Sequence, residues 1–228
     1  MRGFIISLLL ILVIGTGGFC YFIFISPNIQ GKRAVVKIPT GSTYKDVIQI
    51  LRENQVLKNE LSFAVVSKMK KYPTRIMPGY YVFTGNMNNR QIVNMLRAGL
   101  QVPVTLIIYN IRTKEEFAGL VGRTLEMDSL SLLKKLNDVT FCKRYNSDTN
   151  NILSHFIVDN YQFYWNVGAD NFFRKMDDAY KSFWNEERIR KAETLKLSPQ
   201  QVTTLASIVE KEVIRDKELP IVAGVYIN

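Results

Sequence analysis

LSPQQVTTLASIVEKEV, residues 197–213, is the stretch on which the reading of the fold turns. Ser198 suits a helix N-cap, Pro199 the first helical position, and Gln201 completes a capping box, so a helix with a marked start is predicted here. At about 100° per residue, Val202, Leu205, Ala206, Val209 and Val213 share one face. With Val202 as zero, Glu210 falls near ~80° and Glu212 near ~280°, on opposite flanks of the apolar stripe. The two acids therefore cannot act on one ligand together. Glu210 adjoins Thr203, Ala206 and Ser207, whose small side chains leave room for a bulky ligand. The apolar border is expected to keep that carboxyl partly dry, the condition a general acid near neutral pH needs. The plain alternative is a solvated glutamate at the edge of a helix face.

Working towards the N-terminus, the segment 156–184 carries Phe172, Phe173, Met176, Tyr180, Phe183 and Trp184 at helical spacing, with Asp170 as the expected cap. That stripe reads as core in preference to a binding surface. Residues 143–151 read as a polar loop and 128–137 as a helix capped by Asp128. Thr113 and Glu116 have capping-box spacing, and 102–111 is a β-rich run. Further back, AVVKIP (34–39) and GYYVF (79–83) read as strands, each followed by Thr-Gly and an amphipathic helix. With one inserted residue the two units align as a repeat that resembles glycan-binding LysM-type modules; an ordinary α+β packing unit is the other reading.

Residues 4–25 contain no charged side chain, and a membrane span needs about 20 apolar residues. A single-pass anchor over 1–26 is expected, with 26–33 as a linker. A cleaved signal peptide fits less well, because no small-x-small site follows the run. Phe19 before Cys20 argues against a lipoprotein signal.

The net charge of +10 is uneven: residues 1–75 hold a net of +8 and residues 76–228 a net of +2. A basic region beside an apolar N-terminus points to an anionic surface, lipid or wall polymer. Nucleic acid is not expected, since no such motif occurs and the C-terminal part is nearly neutral. Cys20 and Cys142 supply no disulfide framework and no CxxC pattern. With His155 as the sole histidine, neither a zinc site nor a Ser-His-Asp triad can be assembled; no metal or cofactor is expected, and His155 reads as a surface or structural residue. By charge count alone, Lys32, Arg33 and Lys37 against Arg2 would place the large domain in the cytoplasm.

LASIVEKEV (205–213) followed by LPIVAGVYIN (219–228) resembles the signature of the endolytic murein transglycosylases, the YceG-like (MltG) family, and 156–184 is similar to the stretch that precedes it there. The resemblance implies an α+β architecture: a transmembrane helix (1–26), a small LysM-like domain (32–100) and a mostly helical YceG-like catalytic domain (101–228) that continues past the position of Asn228, so that this chain would be truncated at its C-terminus. It implies a lytic transglycosylase that cuts MurNAc–GlcNAc bonds in peptidoglycan and leaves 1,6-anhydro-MurNAc ends. Glu210 corresponds to the catalytic glutamate; Tyr161, Asn160 and Ser207 are the implied substrate contacts. Where the family often has Pro-Asn/Asp-Thr-Tyr, this chain has Val158, Asp159, Asn160 and Tyr161. The implied partners are peptidoglycan glycan strands, the plasma (inner) membrane with the catalytic domain on its extracytoplasmic side, and peptidoglycan synthases. A membrane-anchored peptidoglycan-binding or cell-wall assembly protein without chemistry is the alternative.

Overall fold

A computed structural model describes residues 2–227, apart from the side chains of 2–6, 8, 9, 13, 19 and 20. The chain forms two compact units, one of residues 1–104 with 164–166, the other of 105–163 with 167–228. Both are mostly helical, and each contains one two-stranded sheet.

The first unit contains α1 (Arg2–Phe24), β1 (Arg33–Ile38), α2 (Tyr44–Glu53), α3 (Glu60–Met69), β2 (Gly79–Thr84) and α4 (Asn89–Ala98). β1 and β2 pair antiparallel, from Arg33 opposite Thr84 to Ile38 opposite Gly79. Alternation along the strands buries Val36, Ile38, Tyr81 and Phe83 against Val47, Leu51, Phe63, Ile92 and Leu96 of the helices. The helices that follow the two Thr-Gly turns both begin with a complete capping box, Thr43 with Asp46 and Asn88 with Gln91. Residues 164–166 belong here through Gln101, whose Nε2 donates to Asn166 Oδ1 at 3.0 Å.

The stretch 26–33 is not a loose linker. Asn28 and Ile29 are buried, and Ile29 bridges to Leu57. Asn28 Nδ2 donates to Asn89 Oδ1 at 2.6 Å, while Asn28 Oδ1 accepts from Asn59 N at 2.7 Å. Asn89 Nδ2 in turn donates to Ile23 O and to Ser62 Oγ, both at 2.9 Å. Buried amides persist only when their polar atoms are satisfied, and this network does so while capping a carbonyl at the end of α1. α1 is 23 residues long. Among the described residues no helix is long and apolar enough to cross a membrane.

The second unit contains β3 (Val104–Ile108, its first residue lying in the other unit), α5 (Lys114–Thr124), α6 (Ser129–Leu136), α7 (Val139–Lys143), β4 (Asp159–Phe163), α8 (Ala169–Phe183), α9 (Glu186–Thr194), α10 (Pro199–Glu212) and α11 (Leu219–Ile227). β3 pairs with β4, and Gln162 Nε2 donates to Thr105 Oγ1 across the pair at 2.8 Å. Aromatic rings dominate the core. Phe117 stacks on Phe156 at 4.3 Å between centroids, Phe141 meets Phe173 at 4.7 Å, and Phe172 lies against Phe163 at 5.1 Å. Most of the α8 stripe is core as expected, but Phe183 is exposed.

Three local expectations are corrected. The β run predicted over 102–111 is shorter: Pro103 has no N–H for a ladder, and Asn110 turns left-handed at φ 52°. Asp170 is not the cap of α8; Gly168 holds that position, and Asp170 sits in the first turn, where its charge complements the helix dipole. The Thr113 box is half formed. Thr113 Oγ1 accepts from Glu116 N at 3.1 Å, but Glu116 Oε2 accepts from Arg112 N at 2.8 Å instead of closing on Thr113.

Candidate active site

α10 begins as its sequence dictates. Ser198 Oγ accepts from Gln201 N at 3.2 Å, and Gln201 Oε1 accepts from Ser198 N at 2.8 Å. Of its apolar stripe only Val209 is buried; Val202, Leu205 and Val213 are half-buried and Ala206 is exposed. The side of the helix that carries Thr203, Thr204, Ser207 and Glu210 borders a groove of about 330 Å³.

The groove wall opposite α10 comes from the turn after β3, with Asn110 and Arg112, and from the loop before β4, with Asn150, Asn151 and Ser154; Phe117, Phe156 and Val158 add apolar surface. The asparagine loop is held from within. Asp148 Oδ1 accepts from Asn150 N at 2.6 Å and from Asn151 N at 3.0 Å, and Lys114 Nζ donates to Thr149 O at 2.9 Å. The α10 hydroxyls donate inward: Thr203 to Pro199 O, Thr204 to Gln200 O and Ser207 to Thr204 O, at 3.0, 2.9 and 2.7 Å. Their protons are thus engaged, and they offer the groove oxygen lone pairs.

Among the described residues lining this groove, Glu210 is the only acid; Arg112 and Lys211 are the cations. Glu210 is exposed, so the dry setting expected from its apolar border is absent: the small neighbours that make room for a ligand also admit solvent. Ser207 lines the same groove. Tyr161 and Asn160 do not. Tyr161 is buried in β4, its hydroxyl donates to Ile157 O at 2.7 Å, and burial pushes its phenol up to about 12. Asn160 is exposed on β4, with its N–H donating to Asp159 Oδ1 at 2.7 Å. The groove residues Asn110, Arg112, Asn150, Asn151 and Ser154 were not singled out by the sequence reading. The run NSDTNN at 146–151 carried a signal, since Asx residues in series mark a structured turn, but its partner on α10 is some 50 residues away.

His155 lies elsewhere, buried and stacked on Tyr180 at 4.1 Å. Its Nε2 lies 3.2 Å from Asp177 Oδ1, a close approach outside hydrogen-bond alignment, and its Nδ1 has no partner among the described residues. Burial lowers the imidazole from its ordinary 6.5; Asp177 pulls it back up, and Lys181 adds to the lowering. A folded-state value below the unfolded one means that the unfolded chain binds more protons in that window. The contribution is full above about pH 6.5 and is lost as pH falls through the folded-state value. Chemical denaturation of the wild type is therefore expected to show stability falling on acidification below about pH 6.5. The variant His155→Phe, which keeps the ring stack, is expected to lack that component of the slope.

Residues 36–228 match the model of the YceG-like family. Over its full length the chain is 23% identical to the endolytic murein transglycosylases of two Streptococcus pneumoniae strains, D39 and R6, in each case covering 47% of the relative. The chain thus spans about half the length of the curated relatives it matches. It is also similar to a YceG-like protein of Listeria monocytogenes, whose crystal structure aligns with a TM-score of 0.48 at 24% identity, covering 82% of this chain and 67% of that one.

Proposed function

Because this chain belongs to the YceG-like family, we propose that it acts on murein as a lytic transglycosylase, with Glu210 as the one group that moves protons. The observation that carries the reading is the groove whose described lining residues include one carboxylate, set among amides and hydroxyls. Hydrolysis by the usual glycosidase plan takes two carboxylates, one of them to activate water or attack the sugar. A groove with one acid suits a reaction whose nucleophile belongs to the substrate.

In that reaction the protonated Glu210 carboxyl gives its proton to the oxygen between MurNAc and GlcNAc, and the C1–O bond breaks. The muramic C6 hydroxyl attacks C1 and forms the new C–O bond. The Glu210 carboxylate takes the hydroxyl proton and is restored. No water is consumed, and the cut end is a 1,6-anhydro sugar. Closure within one sugar benefits from a high effective concentration. A saccharide filling the groove would displace the solvent that now reaches Glu210 and so supply the missing dryness. Asn110, Asn150 and Asn151 can donate to sugar oxygens, and the α10 hydroxyls can accept from sugar hydroxyls.

The same reading gives α1 the role of a single-pass anchor, which its length of 23 residues suits. The catalytic unit would then lie on the extracytoplasmic side of the plasma membrane, where the wall is built. The β1-α2-α3-β2 order of the first unit supports a LysM-type glycan-binding module. Synthases that make the strands are the corresponding protein partners.

The test is product chemistry. Strands incubated with the protein and separated by mass are expected to show new ends one water lighter than hydrolysed ends. New reducing ends would overturn the transglycosylase reading. The exposure of Glu210 favours the other reading, a glycan-binding or assembly protein; binding of strands without any cleavage in the same assay would establish it.

A further inference from the structure

A second cavity, of about 450 Å³, shares Phe156, Val158 and Thr203 with the Glu210 groove, so that the two form one cleft along α10. The two halves differ in chemistry. The groove mixes amides, hydroxyls and charged groups with apolar side chains, whereas its neighbour is walled mainly by Phe183, Trp184, Leu195 and Val202. Among its described lining residues the charged groups are two cations, Arg188 and Lys191. Lys191 Nζ is paired with Glu187 at 2.6 Å. Arg188 makes no close ion pair among the described residues, although its charge is felt by Glu187: its Nη1 donates to Phe183 O at 2.7 Å, and its guanidinium lies 4.2 Å from the Phe183 ring centre. It keeps further donors for a ligand.

A sugar ring is a poor occupant. Its hydroxyls would lose water, and the one hydroxyl among the described lining residues, that of Thr203, already donates to Pro199 O. A short peptide with small apolar side chains and a free carboxylate matches both the apolar wall and the arginine. In murein such peptides, rich in alanine and acidic, hang from the muramic acid.

The geometry points to a peptide subsite: the cavity beside α9 takes the acidic peptide carried by the sugar in the Glu210 groove, with Arg188 on its carboxylate. This rests on the reading of the groove as a saccharide site. It makes the protein selective for strands that still carry their peptides.

Trp184 reports on occupancy, since the only other tryptophan, Trp165, lies in the first unit and can be replaced by phenylalanine. The Trp165→Phe protein is titrated with three ligands: murein oligomers bearing peptides, the same oligomers stripped by an amidase, and a long-chain fatty acid. Peptide-bearing oligomers are expected to bind about tenfold tighter than stripped ones, the scale of one charge-assisted contact, and to change Trp184 emission more. Arg188→Glu is expected to erase that difference without altering the affinity for stripped oligomers. Lys191→Glu, on the exposed rim, is expected to reduce it, and it serves if Arg188→Glu fails to fold.

Equal affinity for the two oligomers overturns the subsite, as does an equal loss for both in Arg188→Glu. A Trp184 response to the fatty acid alone overturns it in favour of a lipid pocket. Binding of peptide-bearing oligomers with none of stripped ones, abolished by Arg188→Glu, removes the saccharide reading of the groove and keeps only a peptide-binding cavity, which overturns the pairing of the two. Failure of both oligomers to bind removes both.

Discussion

Glu210→Gln is expected to abolish the formation of anhydro ends, with a loss of about 10³-fold or more, equivalent to roughly 4 kcal/mol in the barrier. The amide keeps the shape of the side chain but can neither give nor take the proton. In the proposed mechanism one group serves both the departure of the leaving sugar and the attack by the C6 hydroxyl, so both steps are expected to fail together. The fold is expected to be untouched: Glu210 is exposed and makes no hydrogen bond or ion pair among the described residues, and such surface changes shift stability by no more than about 0.5 kcal/mol. Anhydro ends at the wild-type rate from a folded Glu210→Gln protein would remove the carboxyl from the mechanism. Glu212→Gln is the matched control. It changes the same charge one turn-fraction away, outside the groove lining, and is expected to leave the rate unchanged.

Phe172→Ala is expected to destabilise the second unit by about 3–5 kcal/mol. Phe172 is fully buried and meets Phe163, Phe173 and Phe117 at ring distances of 5.1, 5.3 and 6.3 Å. Its removal leaves a cavity walled by rings attached to β4, α8 and α5, which cannot collapse into it without moving those elements. Phe172→Leu retains most of the volume and is expected to cost less. The measurement is denaturation monitored by Trp184, which lies in this unit, because the two units need not unfold in one step. Equal losses for the two substitutions would mean that ring packing, not volume, sets the cost.

The start of α10 was legible because its determinants are local: Ser198, Pro199 and Gln201 lie within four residues and satisfy each other. The two capped helices of the first unit were legible from a different signal, the Thr-Gly turn followed by an apolar face, and their capping boxes were not read. α9 was not, since its run EERIRKAET buries only Ala192 and shows no apolar stripe. The cap of α8 was misread because a glycine N-cap leaves no side-chain trace, and the nearby Asp170 supplied a misleading one. The site was half legible. Glu210 and Ser207 lie on one helix with a readable phase, but Asn110 and Asn150 reach the groove only through the β3–β4 pair and a loop held by Asp148. Tyr161 stood next to a recognisable motif and yet faces the core, because the alternation of β4 turns Tyr161 and Phe163 inward together.

The asparagine network at the end of α1 leaves the first unit without a swivel. Ile23 is buried in that unit's core and its carbonyl is held by Asn89, so the chain is gripped before it has left the helix and again at Asn28. A flexible tether would absorb any lean of the helix; a gripped one transmits it. Whatever angle α1 adopts in its surroundings becomes the attitude of the β1–β2 hairpin. The first unit then behaves as a fixed bracket on α1, with its pose dictated by how that helix is seated.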